Sequence, residues 1–149
     1  METRFPEESW VLSLCEKLNN DGSYARIARN WEGDLMFVID PDEVLSLPVV
    51  VYLDLWHGTC REAKVLDPPD ERTAAFILQA PYMNFVRVLT GEWQTMQALL
   101  TRKLHVIGNM AYLVRNVPTV LEFVRCARDV TSTYIGADGR SQHAASPES

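Results

Sequence analysis

The chain has 149 residues, 47% of them hydrophobic and 23% charged, with a formal net charge of −6 and a pI near 5.0. That length suits one domain with a self-supporting core. The acidic balance argues against nucleic acid, whose binding is led by Lys and Arg on phosphates, and against strong docking of the chain as a whole on anionic lipid, although Arg and Lys cluster at 102–103 and 115–128.

Residues 7–19 place Trp10, Val11, Leu14 and Leu18 on one helical stripe, and "NNDG" ends it. A shorter helix is expected over 23–31, with Ser23 as N-cap and Tyr24, Ile27 and Trp31 on one side. The period then changes. "DLMFVID" (34–40) is an apolar run stopped by Pro41, and a second run (49–56) follows Pro48, where a missing N–H is tolerated. His57-Gly58-Thr59 is short enough for a hairpin turn into a third strand, 60–66, whose alternation leaves one face wet. "DPPDER" (67–72) reads as a loop and 74–79 as a fourth strand.

A helix over 81–91 has Pro81 at the first position and Gly91 just past the end. The next, over 92–103, carries Trp93, Met96, Leu99 and Leu100 at helical spacing. A fifth strand, 104–107, runs straight into Gly108-Asn109 and a helix with Met110, Leu113, Val114 and Val117 on one stripe. Gly108 permits a positive φ or a close backbone approach, and Asn109 can cap the helix that begins at Met110. Pro118 interrupts the pattern, and a last helix runs over 118–129. One domain over 1–135 and a disordered polar tail over 136–149 are expected.

No run reaches the ~18 apolar residues of a membrane span, and the first ten residues lack the pattern of a signal peptide. Cys15, Cys60 and Cys126 are far apart with no CxxC, as expected of reduced thiols in a cytoplasmic protein. His57 and Cys60 lie three apart, but zinc needs about four such ligands and no second pair is near, so no metal is expected. Asp40, Asp42 and Glu43 read as a turn and helix cap. No nucleophile elbow or phosphate loop occurs, so no catalytic residue and no cofactor is assigned.

The segment "APYMNFVRVLTGEWQTMQALLTRKLHVIGNMAYLV" resembles the C-terminal half of the sterol carrier protein type-2 family. Phe85, Leu89, Gly91, Lys103, Leu104, Val106, Gly108, Asn109 and Met110 stand at matching places, and the order of elements agrees from about residue 22 to 117. Arg102 departs from the family, which usually has Gly there, and Trp93-Gln94 replaces a commoner Leu-Asn. The resemblance implies an α/β (α+β) fold: a curved, mainly antiparallel five-stranded sheet covered by helices, with an apolar tunnel between them. It also implies a non-enzymatic carrier of fatty acyl, isoprenoid or sterol-like lipids.

On that reading Phe85, Leu89, Trp93, Met96, Leu100, Met110, Leu113, Val117, Leu121 and Val124 would line the tunnel, and Arg102, Lys103 and Arg115 would hold a headgroup at its mouth. Plain core packing would demand the same apolar stripes. The expected partners are a lipid or fatty acyl ligand, with transient membrane contact and a homodimer compatible with the same surface. The rival reading is a non-catalytic accessory or dimerisation module, for example in isoprenoid-quinone synthesis.

Overall fold

The computed structural model describes residues 3–67, 72–136 and the backbone of 142–143. Part of the expected 67–72 loop and most of the expected polar tail lie outside the described residues. Strand β1 (Arg4–Phe5) precedes α1 (Glu8–Asn20) and α2 (Gly22–Ile27). The stripe expected on α1 is its buried face: Trp10, Val11, Leu14 and Leu18. Helix α2 differs from expectation. Its N-cap is Asp21, whose carboxylate accepts from Tyr24 N at 2.9 Å, while Ser23 turns its hydroxyl to Glu122. A carboxylate is a good acceptor for the free N–H groups of a first turn, and it wins the cap position. The helix ends at Ile27, and Trp31 is buried from the loop beyond it.

Strands β2 (Leu35–Asp40), β3 (Val49–Trp56), β4 (Thr59–Leu66), β5 (Phe76–Pro81) and β6 (His105–Ile107) form one sheet in the order β4-β3-β2-β5-β6. Only the β2–β5 pair is parallel. The β3–β4 turn has positive φ at both His57 and Gly58, the conformation that matches the twist of a two-residue hairpin. Alternation sends Leu35, Phe37, Ile39, Val51, Leu53 and Leu55 to the helical side. Met36, Tyr52 and Leu66, with half-buried Val38, Val50 and Ile77, form a cluster on the other face that includes no helix residue.

Helix α3 (Tyr82–Leu89) follows β5 at once, with Pro81 as N-cap rather than first helical residue. Asp42 ties the two layers together, because its carboxylate accepts from Val44, Leu45 and Met83 N–H groups. Burial raises its pKa, but those three donors outweigh burial and leave it below the usual value. Asp42 thus makes the turn and helix cap that the sequence suggests, while Asp40 accepts from the Gln79 amide. Helix α4 (Thr95–Leu100) is shorter than expected because the chain turns and bends over 91–93 and is extended at Gln94.

After β6 the chain turns directly into α5 (Met110–Arg115), capped by Asn109, whose side chain accepts from Tyr112 N at 3.1 Å. Gly108 has φ +149°, and a Cβ there would sit 2.6 Å from the Ala75 carbonyl oxygen and 2.8 Å from the Phe76 ring. No loop is needed because this glycine lets the strand end lie flat on β5. Helix α6 (Val117–Asp129) then starts with Pro118 in its first turn, where a missing N–H costs nothing. A small sheet of β1, β7 (Thr133–Tyr134) and β8 (Gln142–His143) joins the ends of the described chain. Strands of two residues carry no period, so the sequence shows no sign of it.

Candidate functional site

Between the helical layer and the sheet lies a cavity of about 90 Å³. Its wall is built from Leu35 and Phe37 of β2, Leu55 of β3, Leu78 of β5, and Trp10, Tyr24 and Trp31 at the N-terminal end. Phe85, Val88 and Leu89 of α3, Thr95 and Leu99 of α4, Leu104, and Leu113 of α5 close one side; Thr119, Val120, Phe123, Val124 and Ala127 of α6 close another. No charged side chain lines it. Three polar groups on the lining residues turn away into the protein. The Trp10 indole donates to Thr131 Oγ1 at 2.7 Å, the Trp31 indole to the Gly33 carbonyl at 2.8 Å, and the Thr119 hydroxyl to the Ile27 carbonyl at 3.3 Å. Burial pushes the Tyr24 phenol well above its ordinary pKa, so it stays neutral. The surface that remains suits hydrocarbon.

Four of the residues anticipated for a tunnel line this cavity: Phe85, Leu89, Leu113 and Val124. Trp93, Met96, Met110 and Val117 are half-buried but outside the lining. Leu100 (62% exposed) and Leu121 (45%) face solvent. The displacement has a physical cause. The set 113-117-121-124 carries one helical stripe across the expected interruption at Pro118, but the break falls at Asn116 (φ −122°, ψ 36°) and resets the phase. The buried positions of α6 become Thr119, Cys126 and Ala127, with Val120 and Phe123 half-buried over the cavity, and Leu121 turns outward. The late start of α4 likewise buries Thr95, Ala98 and Leu99 and leaves Leu100 outside. Val88, Leu99, Val120 and Phe123 carried the right apolar signal in the sequence but were assigned no role in the lining.

Arg102, Lys103 and Arg115 are exposed, and none lines the cavity. The Lys103 ammonium lies 5.3 Å from the centroid of the Trp93 ring, which the Arg87 guanidinium also approaches, at 5.2 Å. His57 and Cys60 are not brought together as ligands: His57 pairs with Glu32 at 2.6 Å, and the Cys60 backbone is held by the Asn19 amide. Among the described residues there is no group of three or more His, Cys, Asp or Glu able to hold a metal, and no helix is long and apolar enough to cross a membrane.

Polar contacts fix the α6 wall. Arg125 reaches Asp21 at 2.7 Å and Glu122 at 2.8 Å, and Lys17 reaches Asp21 at 3.2 Å. Arg128 donates to the carbonyls of Leu89 and Val88, satisfying the open end of α3. The ion pairs thus fix the C-terminal half of α6, while its first turns are tied to α2 by two neutral or single-charge hydrogen bonds, Thr119 to the Ile27 carbonyl and Ser23 to Glu122.

The model of the SCP-2 sterol transfer family matches residues 12–120. A crystal structure of sterol carrier protein 2 is 34% identical, with a TM-score of 0.75 over 84% of this chain and 98% of that one. The solution structure of a conserved hypothetical protein from Thermus thermophilus is also 34% identical, with a TM-score of 0.76 over 84% and 88%. The solution structure of Aedes aegypti sterol carrier protein 2 in complex with palmitate shares the fold at 14% identity and a TM-score of 0.50, over 78% and 92%. No curated protein matches the chain by sequence. The chain belongs to the SCP-2 sterol transfer family.

Proposed function

We propose that this member of the SCP-2 sterol transfer family is a lipid carrier, holding a fatty acyl chain, isoprenoid or sterol-like ligand in the apolar cavity with no covalent chemistry. The carrying observation is the cavity itself: set between sheet and helices, free of charge, with the Trp10 and Trp31 indoles and the Thr119 hydroxyl already hydrogen-bonded elsewhere. Phe85, Leu89, Leu113 and Val124 would touch the ligand, joined by Val88, Leu99, Val120 and Phe123.

Transferring a ~16-carbon chain from water gains on the order of 10 kcal/mol at ~0.8 kcal/mol per methylene. Two costs reduce this. Association and ordering take several kcal/mol. The cavity of about 90 Å³ is also smaller than the ~300 Å³ at the low end of ligand sites, so the wall must move aside. Helix α4, with no side-chain hydrogen bond or ion pair to another element among the described residues, is where it would yield. A lipid leaving a bilayer moves between two apolar phases, so the net gain falls near zero and the protein presents its cargo rather than sequestering it.

Organic extraction of the purified protein followed by mass spectrometry tests this reading. Co-purified lipid, or saturable binding of a fluorescent fatty acid near equal stoichiometry, is expected; neither would sink it. The rival reading is a non-catalytic accessory or dimerisation module that uses the same apolar surface to hold a protein partner. Elution as a dimer without lipid would favour that reading.

A further inference from the structure

We infer that the face formed by α4, β6, α5 and the first turns of α6 docks on anionic lipid bilayers. The observation begins in the sequence. Residues 93–121 are the longest stretch of the chain without Asp or Glu, and carry Arg102, Lys103 and Arg115 in a molecule of net charge −6. None of these three is paired with a carboxylate among the described residues.

The structure adds apolar contact. Seven large hydrophobic residues are strongly exposed among the described residues, and four of them, Leu100, Ile107, Val114 and Leu121, fall in the same stretch. The elements are neighbours, since α4 and α5 each pack on α6 and β6 leads directly into α5. The acids that flank the stretch in sequence are already engaged, Glu92 with Arg87 and Glu122 with Ser23 and Arg125, and Glu32, whose N–H meets the Tyr112 hydroxyl of α5, pairs with His57.

Cations without a carboxylate partner, beside exposed leucine and isoleucine, match a bilayer surface, where anionic headgroups meet the cations and the acyl boundary takes the side chains. A second copy of this chain does not fit, because two such faces would set like charges opposite each other. Nucleic acid offers nothing to the leucines. The three cations anticipated as a clamp on the cargo headgroup are thereby assigned to the membrane. The inference rests on the carrier reading, since it places the docking face over the wall that must open.

Flotation with vesicles of phosphatidylcholine, alone or mixed with phosphatidylserine, tests it. Binding to the mixed vesicles, weakened by salt, and little to phosphatidylcholine alone is expected. At roughly fivefold per cation, Arg102→Glu, Lys103→Glu and Arg115→Glu together lower binding about a hundredfold. Leu100→Asp with Leu121→Asp also lowers it. Arg26→Glu with Arg29→Glu, at exposed positions in and just after α2, leaves most of it. Equal binding to both vesicles, or equal loss in the Arg26/Arg29 variant, overturns the inference. Fatty-acid titration without vesicles reads the carrier function separately: the triple variant keeps that affinity. A protein that binds mixed vesicles but no fatty acid would support the docking face and refute the carrier.

Discussion

Ala127→Leu is expected to separate ligand binding from stability. Ala127 is 2% exposed on α6 and lines the cavity. The substitution adds three carbon groups. If each takes about the ~30 Å³ share of a water molecule, the addition nearly fills the cavity of about 90 Å³. Empty volume costs ~24 cal/mol per Å³, so filling this cavity gains up to about 2 kcal/mol. Strain from an imperfect fit typically returns ~1–3 kcal/mol. The two nearly cancel, and stability by urea unfolding should stay within about 1 kcal/mol of the parent. The ligand has no such compensation. It loses room for about three methylenes at ~0.8 kcal/mol each, a loss of roughly fiftyfold in affinity. Displacement of a fluorescent fatty acid from the folded variant measures it. An affinity close to the parent's would mean that the ligand lies elsewhere, and the cavity would then be a packing defect.

Gly108→Ala should cost about 2–3 kcal/mol, because the new Cβ meets the Ala75 carbonyl and φ is unfavourable for a side chain; a loss below ~0.5 kcal/mol would show that the β5 edge yields freely. Asp21→Asn should cost about 1–3 kcal/mol at neutral pH. The Arg125 guanidinium, with the Tyr24 N–H and Lys17, holds the Asp21 carboxyl well below the usual range. Its contribution is therefore full above the unfolded value of ~3.9 and lost as pH falls further, so the gap between parent and variant should narrow below about pH 4 in denaturant titrations. Arg102→Gly should stabilise by up to about 1 kcal/mol, since relief of the left-handed backbone, ~1–2 kcal/mol, exceeds the extra unfolded-state entropy of glycine, ~0.5–1. Calorimetry would read it, and a lowered Tm would mean that other contacts of Arg102 matter more than its backbone.

The order of the main elements was legible because each change of period was clean. The strands near 35–40, 49–56 and 59–66 are long enough to show their apolar runs, and His57-Gly58 and Gly108 mark turns through conformations few residues adopt. The cavity wall was legible only in part. Phe85 and Leu89 sit on α3, an uninterrupted helix, and fall where a simple wheel puts them. Leu100 and Leu121 missed because each follows a break, at Gln94 and at Asn116, where the phase is reset by backbone torsions rather than by side-chain polarity. The contribution of Leu78 comes from β5 and depends on pairing β2 in parallel with β5. A long-range pairing of that kind leaves no local mark in the sequence.

Position 102 joins the fold to the docking proposal. Its φ is +64°, the left-handed region in which a side chain is strained by about 1–2 kcal/mol. The resemblance noted in the sequence places a glycine at this position in most of the family, and the torsion supplies the reason: the chain leaves α4 through a C-terminal residue that glycine occupies at least cost. An arginine here is unfavourable for the backbone, and it is exposed and unpaired with any carboxylate among the described residues. Nothing in the local packing recovers the strain. On the docking proposal the recovery comes at the membrane, where the guanidinium meets anionic headgroups beside Lys103. Vesicle binding by Arg102→Gly would decide between the two accounts. A variant that is more stable and binds mixed vesicles less well supports a functional arginine. One that is more stable and binds equally well makes Arg102 a tolerated strain and leaves Lys103 and Arg115 as the only cations of the docking face.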